Sequence, residues 1–286
     1  MASERALRRR IRSIGSTAQI TRAMQMVAAS KMRTAQQLAI EVRPFVRLLY
    51  RIERMATTHA NDFTHPLLEV RPVRMRAVVL VAADKGLCGS LNTNVFRVAA
   101  QYDSASTLFI TAGRKASQFI AQTRRRLAAE FEYGDTPQYA ESRAIAALAR
   151  DLFLKGDVDA VDVVASRFIN TLTQQAIAVS FLPIGDIKGL EVPGLTPPAT
   201  TSDLDVLFEP DAGDIVSYAI RIYLNVFIHS VLLNAKASEQ SARMVSMQHA
   251  TDNAAEMIRD LTLESNKLRQ GRITQELLEI AGGASV

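Results

Sequence analysis

The feature that most limits what this chain can fold into is an uninterrupted C-terminal stretch. From about Asp214 to Ile280 there is no proline, and Gly271 is the only interior glycine. Small and apolar residues recur through it at alternating spacings of three and four: Val226, Ser230, Leu233, Ala237, Gln240, Met244, Met247, Thr251, Ala254, Ile258, Leu261, Ser265 and Leu268. That spacing is the seam of a coiled coil. A helix of about 67 residues is roughly 100 Å long, whereas a compact chain of this length is only about 50 Å across. Such a helix must outrun any globule it belongs to.

The other end reads the same way. Between Ser3 and Thr58 there is one proline, Pro44, and one glycine, Gly15. The stripe runs Ile20, Met24, Val27, Lys31, Ala35, Leu38, Val42, Phe45, Leu49, Ile52 and Ala56, with Lys31 its polar exception. Pro44 removes a backbone donor and is expected to bend the helix or loosen one turn. A lone helix of this kind exposes its apolar stripe, so the two ends are expected to pair antiparallel, and any unpaired remainder needs an outside partner.

The middle has the opposite rhythm. Short β-branched runs at Ala77 to Ala82, Thr107 to Thr111, Ala160 to Ala165 and Ile177 to Leu182 are separated by helical patterns at Asn94 to Tyr102, Arg114 to Leu127 and Tyr139 to Lys155. We read a βαβαβαβ order and a largely parallel sheet flanked by helices. The expected class is therefore α/β: a long antiparallel coiled coil of N- and C-terminal helices with an inserted Rossmann-like βαβ domain. The expected divisions are an N-terminal helix at 1–58, the α/β domain at 75–182, a loop rich in Pro, Gly, Thr and Asp at 183–210, and the C-terminal helix at 211–286.

Composition narrows the function. With 48% apolar and 22% charged residues, the chain is not dominated by disorder. One cysteine, Cys88, excludes an internal disulfide and points to a reducing compartment. The most apolar stretch, Ile220 to Ala235, is broken by Arg221, Asn225, His229 and Asn234, so no membrane span is expected. The net charge of +5 divides as +9 over residues 1–54, −2 over 55–210 and −2 over 211–286. Such a basic block is a solvated helix face or a contact with an acidic partner, nucleic acid or anionic lipid. It is not read as a transit peptide, because Glu4 interrupts it and the helical pattern continues unbroken.

Chemistry is hard to find. The turn Asp84 to Asn92 follows the first strand, where an α/β fold would take a phosphate, yet it has neither the dinucleotide glycine spacing nor a phosphate loop. It reads as a tight turn in which Asp84 and Asn92 bond local backbone groups. Cys88 reads as a packing residue. His59, His65, His229 and His249 have no metal-ligand spacing, and Asp157, Asp159 and Asp162 lack the other ligands of a calcium loop and read as a solvated strand entry. No catalytic, metal or cofactor site is expected. A small-molecule enzyme built on the α/β domain, or a basic coiled-coil nucleic-acid binder, remain as alternative readings; the second lacks interleaved aromatics.

Both ends resemble a known family. Arg10 to Ile14 followed by Thr17 to Met32, then Ala242 to Met247, Ala250 to Ala254 and Arg269 to Leu277 with Glu279 and Ile280, are similar to the two signatures of the gamma subunit of F-type ATP synthases. The turn from Asp84 to Gly89 resembles that family's turn after its first strand. Gly15, Gly271, Ser265 and Lys267 depart from the usual pattern, and the inserted cysteine pair of chloroplast members is absent. The resemblance implies a non-catalytic rotor shaft that couples ion flow through a membrane sector to ATP synthesis on beta subunits. It implies alpha, beta, epsilon and the c-ring as partners, neither nucleic acid nor a small-molecule substrate, and a peripheral place on the cytoplasmic face of a bacterial inner membrane. By residue matching, Met24, Arg243, Arg269 and Gln270 would meet beta subunits, and Leu277, Leu278, Ile280 and Ala281 would turn in an apolar sleeve.

Overall fold

The computed structural model describes residues 4–59, 65–184 and 212–283. The expected loop at 183–210 lies, beyond Ile184, outside the described residues. Helix α1 spans Glu4–His59 and continues through Pro44, and helix α5 spans Ala212–Gly283. Between them come β1 (Arg76–Val81), α2 (Leu91–Ala99), β2 (Thr107–Ala112), α3 (Arg114–Gln122), β3 (Arg126–Phe131), α4 (Tyr139–Lys155), β4 (Ala160–Phe168) and β5 (Gln174–Leu182). The chain divides into two compact units, one of residues 29–242 and one of residues 1–28 with 243–286.

In the larger unit the sheet order is β3-β2-β1-β4-β5. The first four strands are parallel, while β5 pairs antiparallel with β4. Each central strand is apolar on both faces because both faces are covered. Along β1, Ala77, Val79 and Val81 face a core with α4 residues Ile145, Ala149 and Phe153 and α5 residues Leu224, Ile228 and Leu232. The alternate residues Val78 and Leu80 face α2 and α3 through Val95, Ala99, Ala116 and Ile120. Phe96 of α2 and Phe119 of α3 stack at 4.5 Å between ring centroids.

Two sequence readings need correction. The helix expected to reach Leu127 stops at Gln122, and Arg126–Phe131 is a strand. This strand is a sheet edge exposed along most of its length, so it carries no apolar alternation by which to announce itself. The sheet is also not closed by a fourth crossover. Asn170 accepts from the amides of Leu172 and Thr173 through its side-chain oxygen, at 2.9 and 2.8 Å, and folds β5 back as a hairpin.

Where local signals were strong they decided the ends of elements. Helix α4 begins at a capping box, with Gln138 N–H donating to Glu141 Oε2 at 2.7 Å, and ends at Gly156, whose φ of +79° terminates it in the left-handed region. Gly113, between β2 and α3, has φ +93° and lies so close to Ala82 that an added Cβ would stand 2.1 Å from its carbonyl oxygen. One stretch within Ser217–Gln275 is apolar enough to cross a membrane by length and composition, but 72% of it is buried inside the protein, where a core helix meets the same measure.

In the smaller unit the hydroxyls of Thr21 and Thr251 meet at 2.7 Å. Counting outward from that contact, antiparallel pairing sets Glu4 opposite Leu268. That is where the inward pattern on α5 stops: Met247, Ala254 and Ser265 are buried and Ile258, Leu261 and Leu268 half-buried, but residues 269–275 are all exposed. The seam read on α5 holds, whereas that on α1 holds at Ala35 and partly at Met24 and Leu38 but is off by one position at Ile20 and Val27. Thr21 and Ala28 are buried in this unit while Ile20 and Val27 are 60% and 55% exposed. Small side chains let the two helices approach closely, so the larger β-branched residues lie on a face the chain does not cover.

Candidate functional site

Doubly wound sheets take ligands in the crevice beyond the carboxyl ends of their strands, where the strand order reverses. Here that point lies between β1 and β4, and α5 of the same chain lies across it. Ser238 Oγ donates to the carbonyl of Ser166 in β4 at 3.4 Å, and Ser241 Oγ to that of Thr171 in the hairpin turn at 2.7 Å. Ala242 packs on Ala83, Cys88 and Leu91 behind β1. The position that would hold a nucleotide is filled by helix.

In the turn after β1, Asn92 bonds local backbone as the sequence indicated, whereas Asp84 reaches out of the turn to the start of α3. Asn92 Oδ1 accepts from Ala83 N–H at 3.2 Å, and its Nδ2 donates to Cys88 Sγ at 3.5 Å. Asp84 Oδ1 accepts from the Arg114 amide at 3.1 Å. Leu87 and Gly89 adopt φ near +60°, which turns the chain into α2. Cys88 is buried.

Next to this turn lies a cluster that sequence reasoning missed. Lys236, in the interior of α5, is 1% exposed. Its ammonium stands 3.1 Å from Glu239 Oε2, 3.9 Å from Asp84 Oδ2 and 4.0 Å from Asp135 Oδ1, and lies over the Tyr133 ring at 4.6 Å from the centroid. Tyr133 is itself buried, and its hydroxyl donates to the Ala82 carbonyl at 3.0 Å. Burial, together with the charges of Glu239 and Asp84, pushes that phenol well above the ordinary tyrosine range. Lys31 of α1 closes the cluster from outside with a 2.5 Å bond to Asp135 Oδ2. That bond holds the Asp135 carboxyl below its ordinary range. The cluster thus joins α1, α5, the β1 turn and the segment between β3 and α4. Residues 235–241 are all buried, so the helix is enclosed on every side beside Lys236 and Glu239, but no spacing in the sequence announces the cluster.

The residues singled out for the shaft do not come together. Met24 is half-buried and Arg243 buried, whereas Arg269 and Gln270 are exposed. Leu277 and Leu278 are 61% and 67% exposed. The side chains of Ile280 and Ala281 lie outside the described residues, as does that of His59.

Asp159, Asp162, His65 and His229 serve the α/β fold. Asp159 accepts from the amides of Arg74 and Met75 at 2.8 and 2.9 Å. Asp162 is not the solvated residue expected: it is buried in β4, 2.6 Å from Arg76 Nη1 and 2.9 Å from the Tyr102 hydroxyl. Strand pairing turns it inward, and the guanidinium compensates the buried charge. His65 Nδ1 accepts from the Leu67 amide, and His229 Nδ1 lies 3.0 Å from Ser142 Oγ. Burial lowers the pKa of both imidazoles.

Comparisons with known proteins converge. The sequence model of the ATP synthase family matches residues 3–286. The ATP synthase gamma chain of Opitutus terrae is 42% identical over 289 residues, covering 98% of this chain and 97% of that one. The corresponding chain of Methylacidiphilum infernorum is 40% identical, covering 98% of each. Among solved structures, a chain of the Euglena gracilis mitochondrial ATP synthase (OSCP, F1 and c-ring, rotational state 3) superposes with a TM-score of 0.67 at 17% identity, covering 99% of this chain and 93% of that one. A chain of the Tetrahymena thermophila mitochondrial ATP synthase central stalk and c-ring has a TM-score of 0.59 at 22% identity, covering 81% and 99%.

Proposed function

The chain belongs to the ATP synthase gamma chain family, whose members are the non-catalytic central rotor stalk of that complex, and on this premise we propose which of its surfaces do the coupling. Beyond Leu268 the seam of α5 ends, and the helix presents Arg269, Gln270, Leu277 and Leu278 to its surroundings. That exposed end is the observation that carries the reading. A single helix with leucines on its surface is not at rest in water, so an apolar bearing formed by Leu277, Leu278, Ile280 and Ala281 inside the catalytic ring suits it. Arg269 and Gln270 then offer donors to loops of a beta subunit. The uncovered Ile20 and Val27 and the half-buried Met24 belong to the same outward surface of α1.

Arg243 stands apart from these residues. It is buried, so any contact it makes with a beta subunit is through its remaining exposed edge. The α/β domain is, in the same reading, the part that meets the c-ring and the epsilon subunit. The protein acts peripherally to the membrane, and the bacterial sources of its relatives support our reading of a place at the cytoplasmic face of a plasma membrane.

The test replaces Arg269 and Gln270 together by leucine, which keeps helix propensity and bulk and deletes the donors. Charge-assisted bonds are worth about 1.5–3 kcal/mol each. The variant is expected to fold and to assemble with alpha and beta subunits, while ATP synthesis by the reconstituted complex falls several-fold. Unchanged synthesis and hydrolysis in an assembled complex would show that torque passes elsewhere.

A further inference from the structure

Lys236 is the most deeply buried charge among the described residues, and a methionine would sit there with less desolvation. Its surroundings explain what the charge adds. An apolar contact between a helix and the ends of a sheet is non-directional, so under sideways load the helix can turn or slide by repacking. The Lys236 ammonium is instead fixed from three separate segments: Glu239 on its own helix, Asp84 after β1, and Asp135 with Tyr133 after β3. Ser238 and Ser241 add directional bonds to β4 and to the hairpin turn. Rotating α5 about its axis would carry Glu239 along with the ammonium and pull both away from Asp84, Asp135 and the Tyr133 ring, leaving the buried lysine with fewer of its partners.

From this geometry we infer that the Lys236 cluster is a torsional lock that fixes the rotational setting of α5 against the α/β sheet. Lys236, Glu239, Asp84, Asp135 and Tyr133 are its positioning residues, and Lys31 is its outer brace. The inference rests on the chain acting as a rotor. The lock makes a twist applied to the sheet domain turn the helix with it, with little elastic loss. It occupies the crevice where related sheet architectures hold ligands, so a ligand's place has become a mechanical joint.

The test measures torsional stiffness in the assembled alpha, beta and gamma complex. A bead is attached through Ser104→Cys, an exposed position on the α/β domain, and its angular fluctuations are recorded with the rotor stalled in the ring. The decisive variant is Lys236→Met with Glu239→Met, which removes both deeply buried charges and keeps volume. Replacing a buried ion pair in this way is often neutral or stabilising, so the thermal midpoint of the isolated subunit should hold or rise. The angular variance should nevertheless increase several-fold. A midpoint that moves while the variance stays at the wild-type value would show a merely structural cluster and overturn the inference. If the double variant fails to assemble, Asp135→Asn removes one outer charge at a half-exposed site and should give a smaller rise in variance. No rise there overturns it equally. The wild-type complex is the control: if ATP does not drive rotation of its bead, the rotor reading fails, and not the lock.

Discussion

Helix α5 changes character along its length. Between residues 231 and 241 it is enclosed almost all round and carries Lys236, Ser238, Glu239, Gln240 and Ser241 in its interior-facing positions. Between 269 and 278 it carries Ile273, Leu277 and Leu278 in the open. The polar groups of the first segment are buried because the α/β domain and the helix itself supply their partners, and the large apolar residues of the second are exposed because none of the described residues covers them. Burial of a polar group reports a partner within the chain, and several large apolar residues exposed together at one helix end suit a partner outside it.

Breaking the inner half should give the largest effect. Lys236→Ala leaves Glu239 buried without its cation, and disrupting a buried pair in this way costs about 3–5 kcal/mol. Urea unfolding of the isolated subunit should show most of that loss. A change under about 0.5 kcal/mol, the range of ordinary surface substitutions, would erase the distinction between the two halves of the helix. The outer half should respond in the opposite assay. Leu278→Asp should leave the isolated subunit's stability almost unmoved, yet forfeit about 1.5–3 kcal/mol of association with the catalytic ring, read as a shift in co-sedimentation with alpha and beta. Destabilisation of the isolated chain would mean that Leu278 packs within it.

The same contrast governs how much of the molecule its sequence reveals. The α5 seam was legible because small residues at a helical period have no other reason to recur, and α4 was legible to the residue because Glu141 and Gly156 close its two ends. On α1 the most apolar candidates, Ile20 and Val27, pointed to the wrong face. A residue set aside for a partner is as hydrophobic as one set aside for the core. Strand β3 was invisible because its order comes from pairing with β2 and not from its own pattern. The signatures from which Arg269, Gln270 and the terminal leucines are proposed as contacts were plain in the sequence. The Lys236 cluster was not, since its members lie at residues 31, 84, 133, 135, 236 and 239 and meet only in the fold.

A smaller effect would sharpen the outer half. Gly271 has nothing within 4 Å of where a Cβ would stand, and glycine in a helix interior costs about 1 kcal/mol relative to alanine. Gly271→Ala should therefore slow amide hydrogen exchange around residues 269–275 about five-fold. If exchange there is unaltered, that end of α5 is held by something other than its own helix propensity.

The smallest effect belongs to the enclosed half, at His229. Its ring lies against Ser142 at 3.0 Å and edge-on to Tyr139, with centroids 5.9 Å apart. Burial lowers its pKa below the ordinary 6.5, and the nearby Glu141 charge opposes that only in part. A histidine with a depressed folded-state pKa binds its proton more readily when unfolded, so it contributes stability above pH 6.5 that is lost as the pH falls through its folded value. His65, also lowered by burial, acts with the same sign. The urea midpoint of the isolated subunit should thus decline between about pH 7.5 and pH 5.5, the range in which histidine changes charge. His229→Gln keeps a hydrogen-bonding group toward Ser142 but cannot titrate, and should flatten part of that decline while leaving the midpoint at neutral pH nearly unchanged. A profile identical to wild type would mean that the ring accepts its proton inside the folded protein as easily as outside it, and that this segment of α5 is less enclosed than its neighbours at Lys236 and Glu239.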